Sequence, residues 1–446
     1  MFILPKGSLI TDKTVGAAIK YNEELRPYYN KLENYYVGKH VILDRDERAT
    51  AANNRVVVNH AKFITDINVG YLLGNPVSYN AEKGVDIDLI LDEYDKQTIS
   101  DLDHEIAKNI SKFGKQYEWV YANEKNEVRS YDIDNRNCIL VGDNSVEHKK
   151  LFAVIYEKEP DKEDRYISVK IVTDRFVFDF IDAKGKLLKE VPEVKTLKLH
   201  GWTSVPIIEY KNNSEELGDY EVVLSLIDAY NTLASDRVND KEQLVDAILA
   251  FIGMDVTEDQ IQNLKVDKVI TVTTPGGDVK YVTKQLNEAD TDVLRKALET
   301  DIFKISMTPN MSDENFVGNS TGVAIAYKLL PFEQKILSKQ RSFEKGLKER
   351  LSLYNEYLTK LNKMRKIEVH KVDVVFKRNL PKNDLETSQM MLNLTDMVDR
   401  KTLLTQLSFI RDVDEVIEAV DSEIEKQANA ESKEFGTEEE SKVDTE

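Results

Sequence analysis

From Tyr220 onward, about thirty residues keep one apolar stripe at helical spacing: Val222, Leu226, Tyr230, Leu233, Ala234, Val238, Leu244, Val245 and Ile248. A helix of that length spans about 45 Å. Such a rod must project from its domain or lie beside a partner helix. Residues 288 to 306 supply that partner, a second helical segment able to run back along the first. Between them, "DKVITVTTPGGDVKYVTK" (267 to 284) reads as two strands around a turn at Pro275, Gly276 and Gly277. A third helix is predicted from about Thr321 to Lys363, with Pro331 inside it. Proline removes a backbone donor and clashes with the preceding turn, so a kink is expected there. Directly before it lies the irregular stretch "SMTPNMSDENFVGNSTG", 306 to 322. Pro309 is read as ending the preceding helix, while Gly318 and Gly322 permit unusual backbone angles where helix restarts.

The first half of the chain has a different texture. Residues 12 to 36 read as helix, with Asp12 as a cap. In 59 to 79, Asn59 caps a helix whose Phe63, Ile64, Ile67 and Tyr71 share a face; Gly74, in a left-handed cap, and Pro76 stop it. Residues 85 to 115 add a helix or two. From 117 the signal turns to strands: "CILV" (138 to 141), "LFAVIYE" (151 to 157), "YISVKIV" (166 to 172) and "RFVFDFI" (175 to 181), separated by turn-rich pieces, as in an antiparallel meander. "SVPIIEY" (204 to 210) reads as its last strand, and "IEVHKVDVVF" (367 to 376) as a further one. Short helices follow over 384 to 427. The final stretch, 431 to 446, has seven acidic residues against two basic and reads as a disordered tail.

Composition narrows the function classes. The chain has 446 residues, 41% hydrophobic and 32% charged, enough apolar content for several cores. Its longest apolar run, "AILAFIGM" (247 to 254), falls far short of a membrane span, and Pro5 interrupts the short apolar N-terminus, so neither membrane insertion nor a secretory signal is expected. One cysteine, Cys138, excludes an internal disulfide framework and fits a reducing compartment. A net charge of −19 does not suit a tight, general nucleic-acid binder. The Gly-Lys pairs at 38, 114 and 185 lack the following Ser or Thr and the glycine spacing of a phosphate loop, which argues against an ATP-driven motor. His40, His60, His104, His148, His200 and His370 are scattered, without metal-ligand spacing. Cys138 sits in an apolar strand as a small core residue. No catalytic set, metal or cofactor is indicated. On pattern alone the fold is α+β and mainly helical, a bundle with a decorated hairpin whose stripes form its own core.

Three long blocks carry a resemblance: "NNRVVVNHAKFITDINVGYLLGNPVSY" (53 to 79), "VPIIEYKNNSEELGDYEVVLSLIDAYNTLASDRVNDKE" (205 to 242) and "MSDENFVGNSTGVAIAYKLLPFEQK" (311 to 335). They resemble portal proteins of tailed double-stranded DNA phages, the branch typical of long-tailed phages of Gram-positive bacteria. The resemblance spans about residue 20 to 425. It implies a non-enzymatic, dodecameric ring at the unique capsid vertex, through which double-stranded DNA is packaged and ejected without sequence preference. It also implies docking of the terminase large subunit and a head–tail connector or adaptor protein, and contact with scaffold and major capsid protein. The location would be the virion, with host cytoplasm during assembly. A head-associated scaffold or minor capsid protein without a channel is the alternative. By the same resemblance, 1–217 is the wing, 218–250 stem helix 1, 251–288 the clip, 289–307 stem helix 2 and 308–320 the tunnel loop. Then come the long kinked helix (321–365), a wing strand (366–380), the crown helices (381–427) and the acidic tail (428–446).

Physical reasoning adds three expectations. A two-rod stem cannot bury stripes on both sides by itself, so neighbours in a head-to-tail ring must cover it. Residues 219 to 250 hold Asp219, Glu221, Asp228, Asp236, Asp240, Glu242 and Asp246 against Arg237 and Lys241, a balance of −5; twelve copies would line a tube that repels phosphate, unless these acids face outward. Residues 333 to 366 carry ten basic side chains against four acidic, suited to pairing with an acidic neighbour or to touching DNA. In the loop itself, Met311, Asn315 and Phe316 would project into the channel, with Ser312 between them and Asp313 and Glu314 keeping adhesion low.

Overall fold

The computed structural model describes residues 1–46, 52–158, 166–183, 196–245, 248–252, 278–282, 288–311, 322–378, 389, 391–395, 397–404, 413 and 416–422. The chain forms two compact units, Met1–Asn379 and Leu380–Glu446.

In the first unit, β1 (Phe2–Leu4) precedes α1 (Asp12–Tyr36), α2 (His60–Leu73), β2 (Ser78–Ala81), α3 (Asp88–Asp95) and α4 (Ile99–Phe113). The cap of α1 is Thr11 rather than Asp12: Thr11 and Thr14 bond reciprocally in a capping box, and Asp12 is already in the first turn. Asn59 caps α2 as expected, accepting from the Lys62 N–H, but Gly74 closes it with right-handed angles, not left-handed ones.

Strands β3 (Lys115–Ala122), β4 (Val128–Ile133), β5 (Cys138–Asp143), β6 (Lys150–Lys158), β7 (Tyr166–Val172), β8 (Phe176–Ala183), β9 (Thr196–Leu199) and β10 (Ile207–Lys211) follow. The meander is a six-stranded sheet, β1-β5-β6-β7-β8-β9, in which only β1 pairs in parallel. β10 does not extend it. It pairs with β3 in a separate three-stranded sheet, β10-β3-β4. Alternation along β6 explains how the meander is covered on both faces. Phe152, Val154 and Tyr156 pack with Val15, Ala18 and Ile19 of α1, whereas Ala153 turns to a cluster containing Tyr117, Val205, Ile207 and the fully buried Cys138.

The rods come next. A short 3-10 turn, Glu221–Val223, leads into α5 (Leu224–Val245). The helix is shorter than the stripe suggested, and Ile248 lies in β11 (Ile248–Ile252), which pairs antiparallel with β12 (Asp278–Val282). The apolar run from 247 thus starts a strand, and β12 takes its partner from β11. The turn at Pro275, Gly276 and Gly277 lies outside the described residues. α6 (Glu288–Ile305) returns along α5, since Ile302 meets Tyr220, Val223 and Ile227 while Arg295 reaches Tyr230 farther out.

α7 (Gly322–Lys360) runs continuously through Pro331. Its inner stripe, Phe332, Ile336, Phe343, Leu347, Leu351 and Tyr354, enters the largest core with residues of α2, α3, α4 and β10. A 3-10 turn, Val369–Lys371, then precedes β13 (Val372–Val375), shorter than 367 to 376 and paired with β2. In the second unit, α8 (Arg400–Leu404) starts at Asp399, whose carboxylate accepts from the Thr402 N–H at 2.9 Å. Among the described residues no helix is long and apolar enough to cross a membrane.

Candidate functional site

Of the loop between α6 and α7, the structure describes both roots. Ser312, Asp313, Glu314, Asn315, Phe316 and Gly318 lie outside the described residues; Met311, about half exposed, is the last described before them, and Gly322 is the first helical residue after. α6 is not ended by Pro309. The Thr308 N–H donates to the Phe303 carbonyl (3.0 Å) and the Met307 N–H to Lys304 (3.3 Å), with Met307 left-handed at φ 50°. These are the two bonds of a Schellman closure, and Pro309 follows where helix has already stopped.

Side chains of α2, α6 and α7 fix that root. The buried Asn68 of α2 donates to Thr308 Oγ1 (3.2 Å), Asn310 donates to Glu299 of α6 (3.1 Å), and Lys335 of α7 donates to the Ser306 carbonyl (2.9 Å). Across the loop, Phe332 packs on Tyr71 of α2, whose hydroxyl donates to Glu333 (2.5 Å). The α6 end of the loop is thus tied to α2 directly, whereas α7 meets α2 ten residues past Gly322.

Lys335 also belongs to a buried ionic node. Asp219, whose side chain is 1% exposed, lies 2.7 Å from Lys339 and 3.2 Å from Lys335. It further accepts from Ser111 Oγ (2.5 Å) and Asn212 Nδ2 (3.1 Å), and its own N–H donates to the Ser111 carbonyl. Burial pushes the Asp219 pKa up, but the two ammonium groups and these hydrogen bonds more than offset it and hold the carboxyl well below its usual range. Burial likewise lowers the Lys339 pKa against the pull of Asp219. The preceding Gly218 is required by space: a Cβ there would stand 2.5 Å from the Lys112 carbonyl oxygen. Asp219 is thus no part of an acidic wall, and Lys335 and Lys339 pair within their own chain instead of with a neighbour.

Farther along α7, Arg350 is wholly buried. It grips Glu118 of β3 with two parallel bonds (Nε–Oε1 2.7 Å, Nη2–Oε2 2.9 Å) and Asp103 of α4 with a third (2.6 Å). Tyr210 of β10 donates to the same Glu118 (2.6 Å). One turn back is Gly346, where a Cβ would come within 2.2 Å of the Tyr210 ring. Helix and sheet approach so closely there because that residue has no side chain.

The acids of α5 turn largely to the N-terminal segment. Asp228 accepts from the Tyr35 hydroxyl (2.8 Å), Asp236 pairs with Arg45 (2.7 Å) and Glu242 accepts from Asn54 (2.7 Å). Asp240 is half-buried, and Asp246 lies outside the described residues. Beside them is a ladder that the acidic count gave no sign of. The backbone N–H groups of Asn54, Val56 and Val58 donate to Asn239 Oδ1 (2.6 Å), Ser235 Oγ (2.9 Å) and Asn231 Oδ1 (2.8 Å). Two residues of extended chain advance about 6.7 Å and four of helix about 6.0 Å, so alternate N–H groups stay in step with successive helical turns. Asn231 also donates to His40 Nδ1 (2.9 Å), and His40 Nε2 then donates to the Tyr35 carbonyl (3.0 Å); burial lowers the His40 pKa and favours this neutral form. His60 is buried between the rings of Tyr230 and Phe303.

Comparison with known proteins matches the chain to one family. Residues 17–430 match the model of the family described as phage portal protein, SPP1 Gp6-like, and the chain belongs to that family. Its function is that of a phage portal protein, a structural component of the virion. It is 24% identical to a portal protein of Bacillus phage SPP1 over 401 residues, covering 85% of this chain and 78% of the relative. It is also 24% identical to a portal protein of Clostridium phage phiCD119 over 423 residues, covering 87% and 89%. Among solved structures, a chain in the "Neck of empty GTA particle computed with C6 symmetry" aligns with 78% of this chain and 88% of its own length at 13% identity, with a TM-score of 0.44.

Proposed function

We propose that this chain assembles head to tail into a dodecameric ring at the capsid vertex, with double-stranded DNA passing along the axis. The observation that carries this reading is the family match over 17–430, combined with a loop whose α6 end is fixed on α2 by the buried Asn68–Thr308 bond. α5 and α6 form the stem, the segment containing β11 and β12 forms the clip, and residues 308–320 form the tunnel loop. The clip docks the terminase large subunit and later the head–tail connector. Residues 1–217 and β13 form the wing, and residues 381–427 form the crown facing the capsid interior, where scaffold and major capsid protein are met. The subunit functions in the virion and is assembled in the host cytoplasm.

In this reading DNA meets Met311 to Phe316 sterically, Gly318 and Gly322 absorb changes in loop position, and Pro331 sets the bend of α7. Deleting 312–318 should leave rings intact, seen by negative-stain imaging, while lowering packaged DNA or its retention. Normal virion yield with that deletion would contradict the assignment.

A further inference from the structure

α7 buries one face completely and leaves the other open. Opposite the inner stripe lie Tyr327, Leu330 and Leu337, exposed by 74%, 48% and 42%. With Gln334 and Arg341 they fall at steps of three, four, three and four residues, the 3.5-residue repeat of a helix seam made for another element. The seam becomes cationic at its far end, where Arg341 and Lys345 are exposed and have no ion-pair partner among the described residues.

The matching charge lies elsewhere on the same chain. Asp88, Asp92 and Asp95 of α3 and Asp101 of α4 are all exposed and likewise form no ion pair among the described residues. One molecule cannot bring the two surfaces together. α3 and α7 press their inner faces into one core, with the Tyr94 and Tyr354 rings 4.9 Å apart, so their outer faces point away from each other. Two copies placed head to tail can bring them together, and pairing two different faces is what closes a ring.

We infer that the outer face of α7, from Tyr327 to Lys345, receives the acidic α3–α4 ridge of an adjacent copy, the apolar end supplying burial and Arg341 and Lys345 setting register. This rests on the ring reading above. It places the subunit contact at the level of the long helix, in addition to any contact between stems. Opposite charges across such a contact speed encounter and reject wrong registers.

The test is a charge exchange in the full-length protein, followed by native mass spectrometry and sedimentation at physiological salt. Arg341→Glu with Lys345→Glu, and separately Asp92→Lys with Asp95→Lys, should each reduce ring-forming affinity by about tenfold or more, because like charges then face each other. All four sites are exposed, so thermal unfolding of the reversed chains should match the parent. The chain carrying all four substitutions should form rings again. Rings at parental level in both reversed chains, or no recovery in the fourfold chain, would overturn the inference. A parent protein that forms no ring would instead overturn the ring reading on which it rests.

Discussion

Arg350 joins α7 to α4 and β3 through one buried guanidinium. It is fully buried and binds Glu118 and Asp103 at once, so its removal leaves two carboxylates in the core without a counter-charge. Arg350→Met should destabilise the protein by about 3–5 kcal/mol, read as a lower midpoint in denaturant. Glu216 makes a pH prediction. Burial raises its pKa, but Lys115 and Lys211 (2.7 and 2.6 Å) outweigh burial and bring it from 4.5 to about 2. Its stabilisation is therefore complete above about pH 4.5 and is lost as pH falls toward 2. The stability difference between the parent and Glu216→Gln should be large at neutral pH and shrink steadily over that window; a constant difference would show that the ion pairs contribute nothing. His40 acts in the same direction at higher pH. Its folded pKa lies below 6.5, so protonation of the unfolded chain draws stability away as pH falls below that value.

At the scale of elements, the polar ladder decides how the N-terminal segment is held to α5. Asn231→Ala leaves the Val58 N–H and His40 Nδ1 without their partner and should cost about 1–3 kcal/mol. The local effect should be larger than the global one. Amide exchange at Asn54, Val56 and Val58 should accelerate while the inner stripe of α7 stays protected, and unchanged exchange at those three amides would show that the ladder does not hold the segment. Long periodic elements were legible from sequence: α1, α2, the rods and α7 all lie where apolar spacing put them. Their ends were less legible, because helix ends are set by single bonds that periodicity does not encode. Thr11 displaced Asp12 through a reciprocal bond with Thr14, and Met307 closed α6 before Pro309 could. Ile248 continued the stripe by spacing yet joined a strand, since an apolar run of that length fits either element until a partner such as β12 decides it. The ladder itself left a trace: Asn231, Ser235 and Asn239 recur every fourth residue on one face of the helix, a pattern that backbone donors can satisfy.

At the scale of the whole molecule, buried charge is not legible from sequence, and the reason is physical. Counting charges along α5 and α7 treats each as free, whereas Asp219, Lys339 and Arg350 are matched inside one subunit by residues more than a hundred positions away. Among the charges left unmatched after that subtraction are Arg341 and Lys345 on the outer face of α7 and the ridge on α3 and α4. The chain is thus pinned by buried ion pairs where α7 meets α4 and β3, and it carries opposite charge on two separate faces, the arrangement that head-to-tail pairing uses. The central claim is tested most directly by native mass spectrometry of the purified full-length protein, with negative-stain images of the same sample. A closed ring of about a dozen copies with a central hole is expected, the closure that different-face pairing gives. A protein that stays monomeric at micromolar concentration, or that builds open filaments, would contradict it.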